Sequence, residues 1–210
     1  MADNDTLQWK LINALFELAT NTPWRGIGMG KIAEYAGVPL GEALAICPDK
    51  TALFDAAIAE VTKKSLAECA SFTEEDSVRD RLFALLMARF DAMSPYRNGA
   101  AAVARGIAGD PVALICRLPH AMAAMAQTLE AAGVDSSGLR GMIYTKGLAF
   151  VFANTVREWL RDSTEDLGPT MAALDRNLGR ADMFARQFCR GTGTPETAET
   201  PSPEQTASTL

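Results

Sequence analysis

The sequence predicts an all-α protein with about nine helices. Apolar side chains recur at steps of three and four along most of the chain, as on one face of a helix, whereas the alternating β-branched runs typical of strands are few. The composition agrees, because 48% apolar, 22% charged and 7% aromatic residues is the profile of a soluble helical protein. A length of 210 residues permits one domain with a sizeable core, or a small module and a larger one.

Three helices are predicted near the N-terminus. The first fits residues 5–21 and ends at Thr22-Pro23. Two short helices follow, at 29–36, where Gly37 closes the helix, and at 39–46. Because only a three-residue turn separates the short pair, their arrangement indicates a helix-turn-helix unit.

Six longer helices are predicted after residue 50. Thr73 with Asp76, and Ser163 with Asp166, each have the spacing of a capping box and mark two of the helix starts. An aspartate followed by a proline, at 110–111, is a third start signal. The predicted spans are 51–70, 73–93, 98–108, 111–133, 137–161 and 163–188.

The last predicted helix carries a continuous apolar seam that something must cover. Its members recur at steps of four and three: Leu167, Met171, Leu174, Leu178, Ala181, Ala185 and Phe188. Burial against the same chain and burial against a second copy of the chain both fit this pattern. The segment 191–210, rich in Thr, Pro, Ser and Glu, is predicted to be disordered. The predicted division is therefore a small module (1–50), a larger helical domain (51–190) and a tail (191–210).

The sequence offers no constellation typical of an enzyme or a metal site. The single histidine, His120, has no evident catalytic partner, and the four cysteines show no Cys-x-x-Cys spacing. The glycine-rich segment 26–31 lacks the Ser or Thr after its lysine that a phosphate-binding loop needs, which favours a turn. The carboxylates of Asp162, Glu165 and Asp166 lie where a helix begins and favour capping. We therefore expect no catalysis, no cofactor and no metal.

The charge balance and the N-terminus bear on partners and location. The net charge of −6 should repel nucleic acid and acidic membrane surfaces. The first ten residues are acidic where a secretory signal would be basic, and no run approaches the roughly 18 apolar residues that span a bilayer. We expect a cytoplasmic protein without stable membrane insertion.

A ligand cavity is a second expectation, because nine methionines is a generous number and a methionine-lined interior repacks easily around an irregular apolar ligand. The same apolar faces could simply be core. The candidate ligand contacts are Phe83, Met87, Phe90, Leu118, Met122, Met125, Tyr144 and Phe150.

Two N-terminal motifs carry a resemblance to a known family. Ile-Ala-Glu-Tyr-Ala-Gly-Val at 32–38 and Pro-Asp-Lys-Thr-Ala-Leu at 48–53, together with the helix order, resemble the tetracycline-repressor (TetR) family over residues 7–61. The resemblance implies that the second and third helices read DNA, that the later helices enclose a ligand pocket, and that the last two build a homodimer. The predicted dimer contacts are Trp159, Leu167, Met171, Leu174 and Leu178.

The DNA-reading segment departs from the family pattern. Residues 39–48 lack the basic and aromatic side chains that contact phosphates and base edges, and Glu42 would face an anionic groove. Residues 1–60 hold four basic groups against eight acidic ones, which suits counterion release poorly. If DNA is bound, the nearest candidates for contact are Lys10, Lys31, Leu40, Gly41 and Lys50.

The second half resembles a branch of the same fold. Tyr144-Thr145-Lys146, the run 159–166, Thr170 and Leu174-Asp175-Arg176 look like the ubiquinone-biosynthesis accessory family of TetR-like lipid-binding proteins, over residues 139–180. This likeness implies a non-enzymatic homodimer that binds an isoprenoid or quinone-like lipid and presents it to a partner hydroxylase. The preferred hypothesis is therefore an apolar-ligand-binding homodimer, and the alternative is a ligand-responsive regulator that binds a palindromic operator.

Overall fold

A computed structural model describes residues 2–109 and 111–191 of the chain, with side chains described for 6–109, 111 and 115–185. Within these residues the protein is helical and has no strand, which confirms the predicted fold class. Short 3₁₀ turns precede or follow several of the helices. The nine α-helices of the described part are α1 (Ala2–Asn21), α2 (Met29–Ala36), α3 (Leu40–Ile46), α4 (Lys50–Leu66), α5 (Val78–Met93), α6 (Arg97–Ala108), α7 (Pro111–Ala131), α8 (Gly138–Trp159) and α9 (Gly168–Gly191).

Helices α2 and α3 form the predicted helix-turn-helix. Gly37 ends α2 in the left-handed conformation, with φ of 65°, which glycine adopts without the steric cost of a Cβ. The next amide, of Val38, donates a hydrogen bond of 2.9 Å to the carbonyl oxygen of Ala33. Pro39 precedes α3 as its N-cap and does not lie in its first turn as predicted. The turn is therefore set by local backbone chemistry that the sequence displays.

The N-terminal core continues past residue 50. Leu53 of α4, and Val103 and Ile107 of α6, are buried in the same cluster as the apolar faces of α1 and α2. Helix α6 lies very close to α1, because a Cβ on Gly99 would sit 2.3 Å from the carbonyl oxygen of Phe16. Residues on both sides of the predicted boundary at residue 50 thus share this core, and Ala100 of α6 packs against this core and against a second one.

A second core lies among α5, α7, α8 and α9. The apolar seam of α9 belongs to it, since Leu167, Leu174 and Leu178 are buried there against their own chain. Met171 is partly exposed, and the side chain of Phe188 lies outside the described residues. These three leucines are therefore covered by their own chain, as the first of the two arrangements left open by the sequence requires.

The start of α5 corrects one predicted boundary. Thr73 and Asp76 close a turn, in which the Thr73 amide donates to Asp76 Oδ2 at 2.7 Å. The helix begins one turn later, where the Asp80 amide donates to Ser77 Oγ at 3.2 Å. Both pairs satisfy the capping-box spacing, and the second one is used. Helix α4 likewise ends at Leu66, before the predicted residue 70.

The corner between α8 and α9 corrects another boundary, because α9 begins at Gly168 and not at 163. The buried carboxylate of Asp162 accepts hydrogen bonds from the amides of Thr164 and Thr170, each 3.0 Å long. It also accepts 2.6 Å hydrogen bonds from both threonine hydroxyls. Burial raises the pKa of Asp162, but these donors outweigh it and hold the pKa well below its usual range. Asp162, with Asp166 beside it, thus performs the capping predicted for Ser163 and Asp166.

Two predictions concern the chain ends and the membrane. The predicted tail, 191–210, lies outside the described residues except for Gly191, which ends α9. Among the helices of the described part, none combines the length and the apolar character needed to cross a bilayer.

Candidate functional site

An apolar cavity of about 170 Å³ lies between the N-terminal helices and the second half of the chain. Its walls come from α1, α4, the end of α5, α6 and α8, and every lining residue is aliphatic, aromatic or methionine. The side chains are Trp9, Ile12, Phe16, Phe54, Ala57, Ile58, Val61, Met93, Tyr96, Ala100, Ala104, Phe152, Val156, Trp159 and Leu160. A dry apolar cavity of about 150 Å³ accepts benzene, so a ligand here is comparable to a single aromatic ring.

The cavity exists because small residues face large ones. Ala57 of α4 and Ala100 and Ala104 of α6 lie opposite a cluster of aromatic rings. In that cluster the ring centroids of Phe16 and Tyr96 are 5.1 Å apart. The alanines of α6 are the sequence signal that could have located the cavity. The prediction of ligand contacts used large apolar side chains and therefore did not include them.

The predicted ligand contacts lie elsewhere. Met87, Phe90 and Met125 are buried in the second core, and Phe83 and Tyr144 pack against it. Helices α5, α7 and α8 meet directly there, so these side chains fill the interior. The other three predicted contacts lie outside this core. Met122 is half-buried, and Leu118 and Phe150 are 56% and 71% exposed. None of the eight lines the cavity.

Helix α4 connects the cavity to the helix-turn-helix. Its first residue, Lys50, donates hydrogen bonds to the carbonyl oxygens of Trp24, at 2.5 Å, and Ile27, at 2.8 Å. The ammonium also lies 4.5 Å from the centroid of the Trp24 ring. Further along, Phe54 and Ile58 form part of the cavity wall. One helix therefore carries both the Lys50 anchor of the helix-turn-helix and a wall of the cavity.

The structure gives the side chain of Lys50, a candidate DNA contact, partners within the chain. Its ammonium is half-buried and bonded to the chain's own carbonyls, and burial lowers the pKa of Lys50. A lysine at the start of a helix is typically solvated. The sequence does not indicate that the carbonyl oxygens of Trp24 and Ile27, more than twenty residues earlier, accept hydrogen bonds from it.

A second contact ties α4 to α7. Arg117 of α7 forms an ion pair with Asp55 and donates a 3.3 Å hydrogen bond to the carbonyl oxygen of Thr51. Because both partners lie in the first two turns of α4, a displacement of α7 would act on the end of α4 that holds the helix-turn-helix.

The outer surface of the helix-turn-helix carries large apolar side chains beside the acidic Glu34 and Glu42. Leu40 and Leu44 of α3 are 47% and 42% exposed, and Tyr35 of α2 is 59% exposed. Gly41 between them has open space around it. Of the other predicted DNA contacts, Lys10 and Lys31 are both exposed, and Lys31 Nζ donates to the carbonyl oxygen of Gly26 at 3.0 Å.

The predicted dimer contacts are mostly occupied inside the chain. Trp159, Leu167, Leu174 and Leu178 are each at most 4% exposed and belong to the second core. Trp159 Nε1 also donates to Ser94 Oγ at 3.3 Å. These four side chains are therefore packed within the chain, whereas Met171 is 36% exposed. Large apolar side chains are exposed elsewhere on α8 and α9, at Leu139, Met142, Phe150, Met183 and Phe184.

Replacing Lys50 by methionine tests its structural role. We expect Lys50→Met to lower the free energy of unfolding by about 1.5 kcal/mol, because two carbonyl oxygens lose a charged donor. The matched control is Lys31→Met at an exposed lysine, for which a change within about 0.5 kcal/mol is expected. Urea denaturation of both variants measures the difference, and equal losses would contradict the assignment.

Comparison with known proteins supports the fold. No protein-family model and no curated protein matches the chain. A TetR transcriptional regulator from Nitrosomonas europaea ATCC 19718 matches with a TM-score of 0.69 and 20% identity, over 85% of this chain and 99% of that one. A TetR transcriptional regulator from Rhodococcus sp. RHA1 matches with a TM-score of 0.60 and 18% identity, over 85% and 97%. Another transcriptional regulator from Rhodococcus sp. RHA1 matches with a TM-score of 0.53 and 22% identity, over 84% and 96%. The chain thus has the TetR fold.

Proposed function

We propose that the protein is a transcriptional regulator that reads operator DNA with α3 and responds to a small apolar ligand in the cavity. The observation that carries the proposal is the double role of α4, which holds the helix-turn-helix through Lys50 and lines the cavity with Phe54, Ile58 and Val61. The similarity of the fold to solved regulators supports it. The role involves no catalytic step, no cofactor and no metal.

The cavity offers a physical route from ligand to DNA. Protein interiors are close-packed and transmit strain, so a ring that fills this cavity fixes the spacing of its walls. The α1 and α4 walls belong to the helix-turn-helix core, whereas the α8 wall does not. A ligand can bind one relative position of these walls more tightly than another. It then shifts the equilibrium toward the α3 orientation that goes with the preferred position, and the difference in affinity sets the size of the shift.

DNA readout by α3 would use apolar contacts. The exposed side chains of Leu40 and Leu44 carry no hydrogen-bonding group, and in the major groove an apolar side chain recognises the C5-methyl group of thymine. Lys10 and Lys31 are the candidates for phosphate contact. Because these are few, we expect operator binding to be weak unless the salt concentration is low.

We place the homodimer contact on the outer faces of α8 and α9. Leu139, Met142 and Phe150 follow one another at steps that keep them near one face of α8, and Phe150 and Phe184 are more than 70% exposed. A soluble chain rarely leaves such side chains uncovered in one patch. A two-fold dimer built there would present two α3 helices to half-sites about one DNA turn, or ~34 Å, apart.

A second candidate function is presentation of an isoprenoid or quinone-like lipid to a partner enzyme in ubiquinone biosynthesis, as the likeness of residues 139–180 implies. The outer surface of the helix-turn-helix favours it, because Glu42 is exposed beside Leu40 and Leu44 and α3 holds no basic residue. The cavity favours the regulator, because its volume of about 170 Å³ suits one ring and not a long isoprenoid tail.

Selection of DNA from a random double-stranded pool tests the proposal. At about 50 mM salt we expect the full-length protein to enrich a palindromic sequence with thymines in each half-site. Native mass spectrometry of the same preparation reports the subunit number and any bound metabolite. Absence of enrichment, together with a co-purified lipid, would contradict the regulator and support lipid presentation.

A further inference from the structure

Arg89 is a buried cation without a carboxylate partner in the part of the chain that the structure describes. It lies on α5 facing α7 and α8, and it is only 3% exposed. Its Nη2 is 3.5 Å from Thr128 Oγ1, at the limit of a hydrogen bond, and its Nε has no hydrogen-bond partner. Its neighbours on α5, Leu86 and Phe90, are fully buried in the apolar second core.

Burial of an unpaired guanidinium lowers the stability of the folded protein. A buried charge is ordinarily paired, because leaving it unpaired forfeits its hydration without compensation. Burial lowers the pKa of the Arg89 guanidinium to about 10, so the group still carries its charge at pH 7. Thr128 Oγ1 offers only a neutral acceptor, and that hydroxyl already donates to the carbonyl oxygen of Ala124 at 2.9 Å. An anion from outside the chain would satisfy this cation.

The guanidinium and the cavity are separated by one ring. Arg89 Cζ lies 5.9 Å from the centroid of the Phe152 ring, and Phe152 is part of the cavity wall. Met93, one helical turn after Arg89 on α5, lines the cavity as well. Phe152 is half-buried and also stacks on Phe90, with centroids 5.2 Å apart. Phe152 thus contacts both the guanidinium and the cavity, and a ligand in the cavity would reach the guanidinium by displacing this ring.

We infer that Arg89 is the anion-binding group of the ligand site, and that the ligand is an organic carboxylate with an apolar body about the size of one aromatic ring. The cavity takes the apolar body, and the guanidinium takes the carboxylate, for which its planar donor fork is suited. Carboxylates of this size would be the ligand class of the proposed regulator, and the biological role of the site rests on that proposed function. The binding itself requires no DNA.

The test compares carboxylates with their neutral amides. Benzoate, phenylacetate and cyclohexanecarboxylate, each beside its primary amide, are titrated into the full-length protein, and binding is followed by calorimetry and by thermal shift. We expect at least one carboxylate to bind about tenfold or more tightly than its amide. That preference should disappear in Arg89→Met. It should persist in Arg79→Met, the same change on the same helix at a guanidinium that is paired with Asp175 at the surface.

If Arg89 only stabilised the fold, Arg89→Met would lower the melting temperature of the ligand-free protein. The anion-site inference predicts instead that this melting temperature equals or exceeds that of the wild type, because the variant removes an unpaired buried charge. The inference is overturned if no carboxylate outbinds its amide, or if the preference survives in Arg89→Met. If that variant does not fold, Arg89→Gln replaces it with the same expectations. If the protein prefers carboxylates but selects no operator DNA, the proposed regulatory function is contradicted and the anion site is supported. The failure of one proposal is therefore distinguishable from the failure of the other.

Discussion

Asp162→Ala is expected to lower the free energy of unfolding by about 3 kcal/mol, because the corner between α8 and α9 loses four hydrogen bonds to a charged acceptor. Thr170 is fully buried, so its hydroxyl and amide lose this acceptor where water does not replace it. Denaturation in urea measures the loss. The control is Asp166→Ala, at an exposed carboxylate that accepts one 3.2 Å hydrogen bond from the Gly168 amide. A loss below about 1 kcal/mol is expected for the control.

The same carboxylate gives the effect a pH dependence. The folded-state pKa of Asp162 lies below its unfolded value of about 3.9, so the unfolded state binds the proton more readily as the solution is acidified. The stabilisation is therefore complete above roughly pH 5 and declines as the pH falls below the unfolded pKa. The gap between wild type and Asp162→Ala should narrow in that acidic range. A gap that stays constant from pH 7 to pH 3 would contradict the hydrogen-bonding account.

The helix-turn-helix and α6 could be predicted from the sequence because their signals are local. Gly37 marks a left-handed helix end, and the predicted helix at 98–108 agrees with Arg97–Ala108 to one residue. The starts of α5 and α9 were misplaced because adjacent polar residues offered two similar caps. At α5 the spacing of Thr73 and Asp76 equals that of Ser77 and Asp80, and packing of the following helix decides between them.

The site could not be located from the sequence because it depends on how helices cross. Large apolar residues such as Met125 mark a buried face, but a cavity forms where small residues, such as Ala100 and Ala104, oppose rings from another helix. Arg89 illustrates the same limit, since a charged residue in a helix is usually solvated and only the fold shows it enclosed by α7 and α8. Burial of Lys50 beneath the Trp24 carbonyl has the same origin.

The proposed contact of α3 with DNA leads to a prediction for Leu44. Replacing it by glutamate places a carboxylate on the exposed face of α3, next to the acidic Glu42. If this face enters the major groove, the new charge meets the phosphates, and operator affinity should fall by at least about 100-fold because like charges across an interface cost several kcal/mol. Val78→Glu is the matched control, since Val78 on α5 is 43% exposed against 42% for Leu44, and both variants gain the same charge.

The measurement that tests the central claim most directly is the binding isotherm of the selected operator at about 50 mM salt for wild type, Leu44→Glu and Val78→Glu. The account predicts tight binding by the wild type, a change of only a few-fold for Val78→Glu and a loss of about 100-fold for Leu44→Glu. Equal affinities of the two variants would contradict readout by α3, and failure of the wild type to bind any selected sequence would contradict the regulator itself.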